Sequence, residues 1–163
     1  MAWRLPRSAF NQGKGDANRS AMRALVEQGQ KPGSNPPGIL LYRDGLPIGW
    51  CSVAPRVEFV FLSRSRVCGP VDDNPVWSIS CFFVAKDHRN QGMSVELLKA
   101  AVEFARSRGA RIVEGYPQEV VGDHLPAAFV WTGLASAYRK AGFQEVMRRL
   151  EKKPIMRYEI LPG

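Results

Sequence analysis

A strand, a helix and a second strand follow one another near the middle of the sequence, and this order constrains the fold more than any other feature. Val76–Val84 is rich in β-forming residues and ends in an apolar run, which is typical of a central strand buried on both faces. After the loop 85–90, apolar residues repeat at helical spacing over 91–108, and Gly109 follows at the position of a left-handed cap. Arg111–Tyr116 then predicts another strand. Because the two strands are joined through a helix, we expect them to be parallel.

Two further pairs of strands surround this unit in the sequence. Ile39–Arg43 and Leu46–Val53 are joined by Asp44-Gly45, a pair that favours a tight hairpin turn. Phe143–Leu150 and Ile155–Ile160 are separated by a short Glu-Lys-Lys-Pro turn. The sequence therefore predicts an α/β fold with a mixed, mostly antiparallel sheet and flanking helices.

Helices and loops fill the remaining segments. The apolar spacing over 18–28 predicts one helix near the N-terminus, and the Pro-rich stretch 31–38 predicts a loop, because proline removes backbone donors. Residues 55–73 fit either a short helix or an irregular lid. Thr132 is expected to cap a short helix over 133–140.

The sequence carries 23 Lys and Arg against 15 Asp and Glu, a net charge of +8. Basic surfaces bind polyanions through counterion release, which suggests nucleic acid. The positive residues are scattered, however, and neither an RNA-binding motif with interleaved aromatic residues nor a helix-turn-helix pattern accompanies them. A solvated basic face or a site for a small phosphorylated ligand explains the charge as well, so we do not expect nucleic acid as the partner. The one local concentration comprises Arg139, Lys140, Arg148, Arg149, Lys152, Lys153 and Arg157.

Several other classes of protein are excluded by composition. No uninterrupted apolar stretch approaches the ~20 residues of a membrane-spanning helix, and the N-terminus has no apolar signal-peptide core, so we expect a soluble, cytoplasmic protein without membrane contact. Three cysteines without paired spacing predict no disulfide scaffold. With only two histidines besides them, we expect no metal site.

A short motif between the buried strand and the central helix carries the chemistry. In Arg89–Ser94 a glycine at the strand-to-helix turn allows backbone N–H groups to approach a ligand closely. The helix N-terminus adds unpaired donors and a partial positive charge, and Arg89 adds a full one, so a pyrophosphate is the expected ligand. An ordinary loop containing a glycine is the alternative. Neither Gly-Lys followed by Ser or Thr nor Gly-x-Gly-x-x-Gly occurs, so the ligand differs from those of the common nucleotide motifs.

Two motifs together resemble the GNAT acyltransferase superfamily. Arg89-x-x-Gly92-x-Ser94 is similar to its acetyl-CoA motif, Arg/Gln-x-x-Gly-x-Gly/Ala, which follows a strand with an apolar end. Tyr138-x-x-x-Gly142-Phe143 is similar to the family's Tyr-x-x-x-Gly-Phe segment, and Tyr138 follows Gly92 by 46 residues, about the spacing of the family. The resemblance covers about 39–160. The N-terminal part departs from the family, which usually opens with a strand and two helices.

The resemblance implies a GNAT-like acyl-CoA N-acyltransferase fold, with acetyl-CoA as cosubstrate and no metal. It implies a single domain over 1–163, in which 39–160 form the core and 1–38 form an atypical or shortened N-terminal part. It also implies a set of cofactor-binding residues. Backbone groups near Phe82, Phe83 and Val84 would pair with the pantetheine arm, and the pyrophosphate would contact Arg89, Asn90, Gln91, Gly92, Met93 and Ser94.

The implied reaction is direct transfer of the acetyl group to a primary amine of a small molecule or peptide. An acceptor amine with a lysine-like pKa of about 10.4 must lose a proton, and the CoA thiolate must gain one. The resemblance implies Tyr138 as the acid. For the base we single out Glu114, because it shares a strand face with Ile112 and Tyr116. A water chain, an arginine-paired role for Glu114 and the carboxylates Glu58, Asp72 and Asp73 stay open as alternatives.

Other functions stay open at this point. A CoA-binding module without catalysis and a basic nucleic-acid-binding protein are the two competing classes. GNAT proteins commonly form homodimers through their C-terminal strands, and this assembly is open here as well. For the acceptor, the positive net charge weakly disfavours a polyamine or a cationic drug.

Overall fold

The computed structural model describes residues 2–120 and 130–161. In these residues the strands form one six-stranded sheet of order β1-β2-β3-β4-β6-β5. Only β3 and β4 pair in parallel, so the predicted mixed, mostly antiparallel sheet is confirmed. The strands are β1 Ile39–Arg43, β2 Leu46–Pro55, β3 Trp77–Val84, β4 Ile112–Gly115, β5 Gln144–Leu150 and β6 Lys153–Glu159. The helices are α1 Arg7–Gln12, α2 Asp16–Gly29, α3 Val60–Arg64, α4 Met93–Ser107 and α5 Ala135–Lys140.

The predicted hairpin joins β1 and β2. Asp44 and Gly45 have φ values of 50° and 77°. Two consecutive positive φ angles match the right-handed twist of the flanking strands, which is why Asp-Gly favours this turn. The antiparallel register runs from Ile39 opposite Cys51 to Arg43 opposite Leu46.

The central unit β3-α4-β4 has the predicted parallel topology, and its two strands diverge early. Trp77 lies opposite Val113, and the last pair is Ile79 with Gly115. Beyond this pair the backbone N–H of Phe82 donates to the carbonyl of Trp131 instead, at 2.7 Å. The sheet is therefore split along the second half of β3.

The expectation that β3 is buried on both faces is wrong at one residue. Phe83 is 55% exposed, whereas its neighbours Phe82 and Val84 are buried. Because side chains alternate along a strand, Phe83 faces away from the main core, and the apolar run conceals this difference.

Helix α4 covers one face of the sheet. Its apolar stripe packs into the main core, and burial of each such side chain stabilises the fold by about 1.5–3 kcal/mol. Gly109 follows its last turn with φ 81°, so the predicted left-handed cap is confirmed. The buried residues of the helix are Leu97, Leu98, Ala101, Val102 and Ala105.

The N-terminal region contains two helices rather than the single predicted one. Helix α2 begins at Asp16, slightly before the expected start, and α1 precedes it. None of the residues of α1 is buried, so the helix has no apolar stripe from which it could be predicted. No helix in the described part of the chain is long and apolar enough to cross a membrane.

Residues 55–73 fold into a 3-10 turn at Arg56–Glu58 followed by α3, and then into an irregular segment. Phe59 and Leu62 are buried with Trp3 in a second core cluster. This segment therefore covers part of the sheet and is not a freely exposed loop.

The prediction that Thr132 caps a helix over 133–140 is wrong. Helix α5 begins at Ala135, and the residue before it, Leu134, makes no side-chain cap. Thr132 is fully buried, and its hydroxyl oxygen accepts from Lys153 Nζ at 3.4 Å.

Candidate active site

A cleft of about 850 Å³ opens where β3 and β4 diverge, bounded by the start of α4 and by α5. Its volume is in the range of sites that hold a small molecule or cofactor. Most of the cofactor-binding residues predicted from the sequence line this cleft. These are Phe82, Phe83, Val84, Arg89, Asn90, Gly92, Met93 and Ser94.

The turn before α4 presents its backbone to the cleft. Gly92 is the N-cap residue in a left-handed conformation with φ 78°, and a Cβ at this position would meet nothing within 4 Å. No described residue accepts a hydrogen bond from the N–H groups of Met93 and Ser94. These donors and the helix dipole form a site for an anionic group.

Basic side chains surround the turn. Arg89 and Lys140 line the cleft, and His88 lies beside them. Arg89 Nε also donates to the carbonyl of Val84 at 2.9 Å, which fixes the loop against the end of β3. Sequence reasoning placed Lys140 only in a basic cluster. Lys140 lies in the last turn of α5, two residues after Tyr138 of the second motif, and this position could have predicted it as a cleft residue.

Gln91 is the one predicted phosphate-site residue that does not line the cleft. Its side chain holds the loop instead, because Oε1 accepts from Arg43 at 3.0 Å and Nε2 donates to the carbonyl of Asp87 at 3.0 Å. Only its backbone lies in the turn.

The split edge of β3 offers backbone groups at alternate residues. Phe82 N–H donates to Trp131 across the split, whereas Ala85 N–H donates to Ile48 of β2. Since the two sides alternate along a strand, Phe82 and Val84 direct their backbone groups to the cleft and Phe83 directs its groups to β2. Phe83 therefore contributes its exposed side chain to the cleft, and not its backbone.

Tyr138 lies at the point where β3 and β4 diverge. It is fully buried, packs edge-on against Phe82 and Phe143, and donates its hydroxyl to the carbonyl of Thr132 at 3.3 Å. Burial raises the pKa of the Tyr138 phenol well above its usual range, so the hydroxyl stays protonated. The Tyr138 ring lies against Gly115 of β4, and it does not line the cleft itself.

Glu114 is held in a buried network of ion pairs. It is fully buried, and its two carboxylate oxygens accept from Arg56 and Arg157, each at 2.8 Å. The Tyr116 hydroxyl donates to the same carboxylate at 2.6 Å. This environment argues against Glu114 as a general base, because both of its oxygens are engaged by Arg56, Arg157 and Tyr116.

The network extends to the irregular segment before β3. Arg157 donates to both oxygens of Asp72, at 2.6 and 3.1 Å. These bonds lower the pKa of the Asp72 carboxyl to about 2. Burial raises the pKa of the Tyr116 phenol well above its usual range, which keeps its proton available for Glu114. The network thus ties β4, β6 and the segments at 56 and 72 together.

A family comparison agrees with this geometry. Residues 3–143, most of the chain, match the model of the acetyltransferase (GNAT) family. The chain belongs to the GNAT acetyltransferase family. The sequence has no significant match among curated proteins.

Solved structures of GNAT proteins share the fold at low identity. AAC(6')-Iy, solved in complex with the bisubstrate analogue CoA-S-monomethyl-acetylneamine, is 20% identical, with a TM-score of 0.53 over 91% of this chain and 86% of that chain. The GNAT domain of S. lividans PAT is 16% identical, with a TM-score of 0.47 over 76% of this chain and 60% of that one. The ribosomal-protein-S18-alanine N-acetyltransferase from Escherichia coli is 15% identical, with a TM-score of 0.48 over 98% and 80% of the two chains. The present chain thus spans less than two thirds of the S. lividans structure.

This GNAT protein has a second, smaller pocket of about 120 Å³ beside the cleft. Aromatic rings dominate its walls, and Arg4 is its only charged lining residue among those described. Arg4 donates to Glu58 at 2.5 Å and lies over the ring of Phe59. Trp131 lines both the pocket and the cleft, so the two cavities adjoin at this residue. The aromatic lining residues are Trp3, Trp50, Phe59 and Trp131.

Much of the basic cluster near the C-terminus of this GNAT chain is used within the fold. Arg139 and Arg148 pair with Glu119 at 2.5 and 3.0 Å. Arg149 donates to the carbonyls of the loop 67–70. Burial lowers the pKa of Lys153. These contacts neutralise or cover several charges that, in the sequence, suggested a polyanion-binding face.

Groups that could hold a metal are not evident in the described part of the chain. Three or more His, Cys, Asp or Glu side chains do not cluster there in a suitable arrangement. Cys81 lines the small pocket, and burial raises the pKa of its thiol, which disfavours the nucleophilic thiolate.

Proposed function

We propose that this protein is an N-acetyltransferase that transfers the acetyl group of acetyl-CoA directly to a primary amine, and that residues 1–163 act as one domain. The observation that carries this proposal is the cleft at the split of β3 and β4, with Gly92 and the unpaired donors of α4 at one end. Membership of the GNAT acetyltransferase family supports the same reaction.

The cofactor would be held by two kinds of group. The pyrophosphate would receive hydrogen bonds from the backbone of the turn 90–94, with Arg89 and Lys140 supplying positive charge. The pantetheine arm would pair with the backbone of Phe82 and Val84, as an added strand does at a sheet edge. Its thioester would then lie near the point of divergence, beside Tyr138.

The acceptor would enter the small aromatic pocket. Its amine nitrogen attacks the thioester carbon, so that a C–N bond forms, the C–S bond breaks and the thiolate leaves. Neither cavity is lined by a described carboxylate, so we propose that the ammonium group loses its proton to water before attack. Tyr138 would give its phenol proton to the CoA thiolate, and the second proton of the attacking nitrogen, released as the amide forms, would return through water to the Tyr138 phenolate.

The pocket also bears on the class of acceptor. A polycationic amine would find no carboxylate among the described lining residues to balance its charges, and the one charged lining residue, Arg4, is itself cationic and already paired with Glu58. Aromatic walls favour an amine with an apolar body, either a small molecule or the end of a peptide. A polyamine is therefore expected to react poorly.

Calorimetry with CoA tests the cofactor site. We expect binding that weakens as salt is added, because the pyrophosphate is held by positive groups. Absence of binding at millimolar CoA would overturn the proposal. Release of CoA from acetyl-CoA should then be measured across amines, amino acids and peptides, and a protein that binds CoA but acetylates nothing in such a panel would be a binding module.

A further inference from the structure

One short segment separates the two cavities. We call residues 130–134 the partition segment. It lies between β3 and β4, where Gln118 pairs with Leu134 in a single parallel bridge and Gln118 N–H donates to the carbonyl of Gly133 at 2.9 Å. Trp131 lines the cleft on one side and the aromatic pocket on the other. Among the described residues, Trp131 is the one that the two cavities share.

The partition segment occupies polar groups that the reaction would use. The carbonyl of Trp131 accepts from Phe82 N–H at 2.7 Å, and the carbonyl of Thr132 accepts from the Tyr138 hydroxyl at 3.3 Å. The backbone at Gly133 lies so close that a Cβ there would be 3.0 Å from the Tyr138 ring and 3.3 Å from the Phe82 ring. The segment thus covers the edge of β3 at one of the two residues whose backbone faces the cleft.

A backbone N–H makes one strong, linear hydrogen bond at a time. If the pantetheine arm pairs with β3 as proposed above, its carbonyl needs the N–H of Phe82 that Trp131 already holds. The two cannot occupy this position together. We propose that the Trp131 carbonyl competes with pantetheine for Phe82 N–H, so that CoA displaces the partition segment and thereby connects the cofactor cleft with the acceptor pocket. This inference rests on the proposed CoA-binding function.

Within the partition segment, Trp131 is the residue whose side chain is least packed, whereas Thr132 is fully buried. The Trp131 indole is 41% exposed and packs edge-on against Trp3, with 5.4 Å between ring centroids. A single contact of 3.4 Å joins the Thr132 hydroxyl to Lys153. The segment therefore has a fixed position without being deeply packed at Trp131.

Two consequences follow for binding. Acetyl transfer to an acceptor in the pocket requires that CoA has first displaced Trp131, whichever of the two ligands binds first. Only molecules in which the partition segment is displaced can bind CoA. The apparent affinity for CoA is therefore the intrinsic affinity multiplied by the fraction of molecules in this displaced form. Weakening the anchor of Trp131 should therefore increase CoA affinity.

Trp131→Ala tests this second consequence, with Phe61→Ala as the matched control. Phe61 also packs against Trp3, at 5.2 Å between centroids, and is 46% exposed, but it lines neither cavity. We expect Trp131→Ala to bind CoA about threefold to tenfold more tightly than wild type, the range set by the loss of one exposed aromatic pair. Phe61→Ala should bind CoA like wild type. Equal affinities in the two variants would overturn the proposal.

A second measurement does not depend on the folding of a variant. In wild-type protein labelled with 5-fluorotryptophan, we expect saturating CoA to shift the fluorine resonance of Trp131, assigned through Trp131→Phe. The resonance of Trp77, which packs against Phe104 in the main core, should stay unchanged. Bound CoA with an unmoved Trp131 resonance would refute the displacement while leaving the proposed function intact. Absence of CoA binding in every protein would instead remove the proposed function itself.

Discussion

Tyr138 and Gly115 are in direct contact where β3 and β4 diverge, and a methyl group added to Gly115 would lie 2.6 Å from the Tyr138 hydroxyl oxygen. Gly115 is also the last residue of β4 paired with β3. The absence of a side chain at this residue thus allows the phenol to occupy the split of the sheet. The placement of the proposed acid depends on a glycine on the neighbouring strand.

Gly115→Ala should therefore displace the Tyr138 ring. We expect a loss of about 1–3 kcal/mol in the free energy of unfolding, the usual cost of an oversized core residue, measured by urea denaturation. In a double-mutant cycle with Tyr138→Leu the two losses should be less than additive, because the smaller side chain relieves the overlap. Strict additivity would show that the two residues do not interact.

Gly92→Val tests the anion site, and Gly109→Val is its matched control. The two glycines flank the same helix with φ values of 78° and 81°, and neither would bring a Cβ within 4 Å of a neighbour. Both variants should lose about 1–2 kcal/mol from left-handed strain. Only Gly92→Val should weaken CoA binding, by about tenfold or more in calorimetry, because its side chain projects where the pyrophosphate approaches the backbone. Equal CoA affinities in the two folded variants would contradict the assignment.

Glu114→Gln separates a structural role from a catalytic one. Removing this charge takes away the carboxylate that Arg56 and Arg157 share, while Arg157 keeps its pair with Asp72, so we expect a cost of about 3 kcal/mol of unfolding free energy, the lower end for a buried ion pair. Glu145→Gln, which breaks a more exposed pair with Arg148, should cost about 1 kcal/mol or less. A Glu114→Gln variant with normal stability but no transfer activity would restore Glu114 as the base.

Local features of the sequence predict the central unit and the hairpin well. Asp44-Gly45 specifies its turn through its own backbone angles, and α4 shows its apolar stripe directly. Helix α1 has no buried residue, so no periodic signal exists for it. Phe83 lies within an apolar run, and it is exposed because its side chain is on the face of β3 that lies away from the main core.

The sequence predicts those parts of the candidate site that depend on residues adjacent in the chain. It does not predict the parts that depend on residues far apart in the chain. The turn at Gly92 is local, and the structure gives it the expected left-handed geometry. Alternation along β4 correctly puts Glu114 on the face of Tyr116, but the arginines that occupy its carboxylate lie 58 and 43 residues away in the sequence. The contact of Trp131 with Phe82 likewise joins segments that no local pattern connects.

Asp72 gives the fold a specific dependence on pH. Its pKa is lowered from 3.8 to about 2, chiefly by the hydrogen bonds from Arg157. The folded state therefore favours the carboxylate. The stabilisation is complete above the unfolded pKa and is lost as the pH falls through about 2.

Asp72→Asn should thus be less stable than wild type at pH 7, and the difference should shrink below pH 4 to a small remainder at pH 2. The midpoint of urea unfolding, followed from pH 7 to pH 2, measures this convergence. Asp73→Asn is the control, since no described ion pair involves Asp73. A constant difference between Asp72→Asn and wild type across this range would show that the ion pair does not cause the effect.

Tyr138→Phe tests the proposed general acid by removing only the hydroxyl. The hydrogen bond lost is long, at 3.3 Å to the Thr132 carbonyl, so the stability should fall by only about 0.5–1.5 kcal/mol. CoA affinity should not fall, and it should rise if the lost bond to Thr132 loosens the partition segment, while kcat falls by roughly 10²-fold or more, the scale of a lost general acid. Because burial raises the pKa of the phenol well above its usual range, this group should cause no loss of kcat between pH 7 and 9. Tyr158→Phe, on a ring that also packs against Phe143 but lines neither cavity, should leave kcat unchanged. If kcat for Tyr138→Phe stayed within a few-fold of that for Tyr158→Phe, water would be the proton donor to the thiolate and Tyr138 would serve to pack the split between β3 and β4.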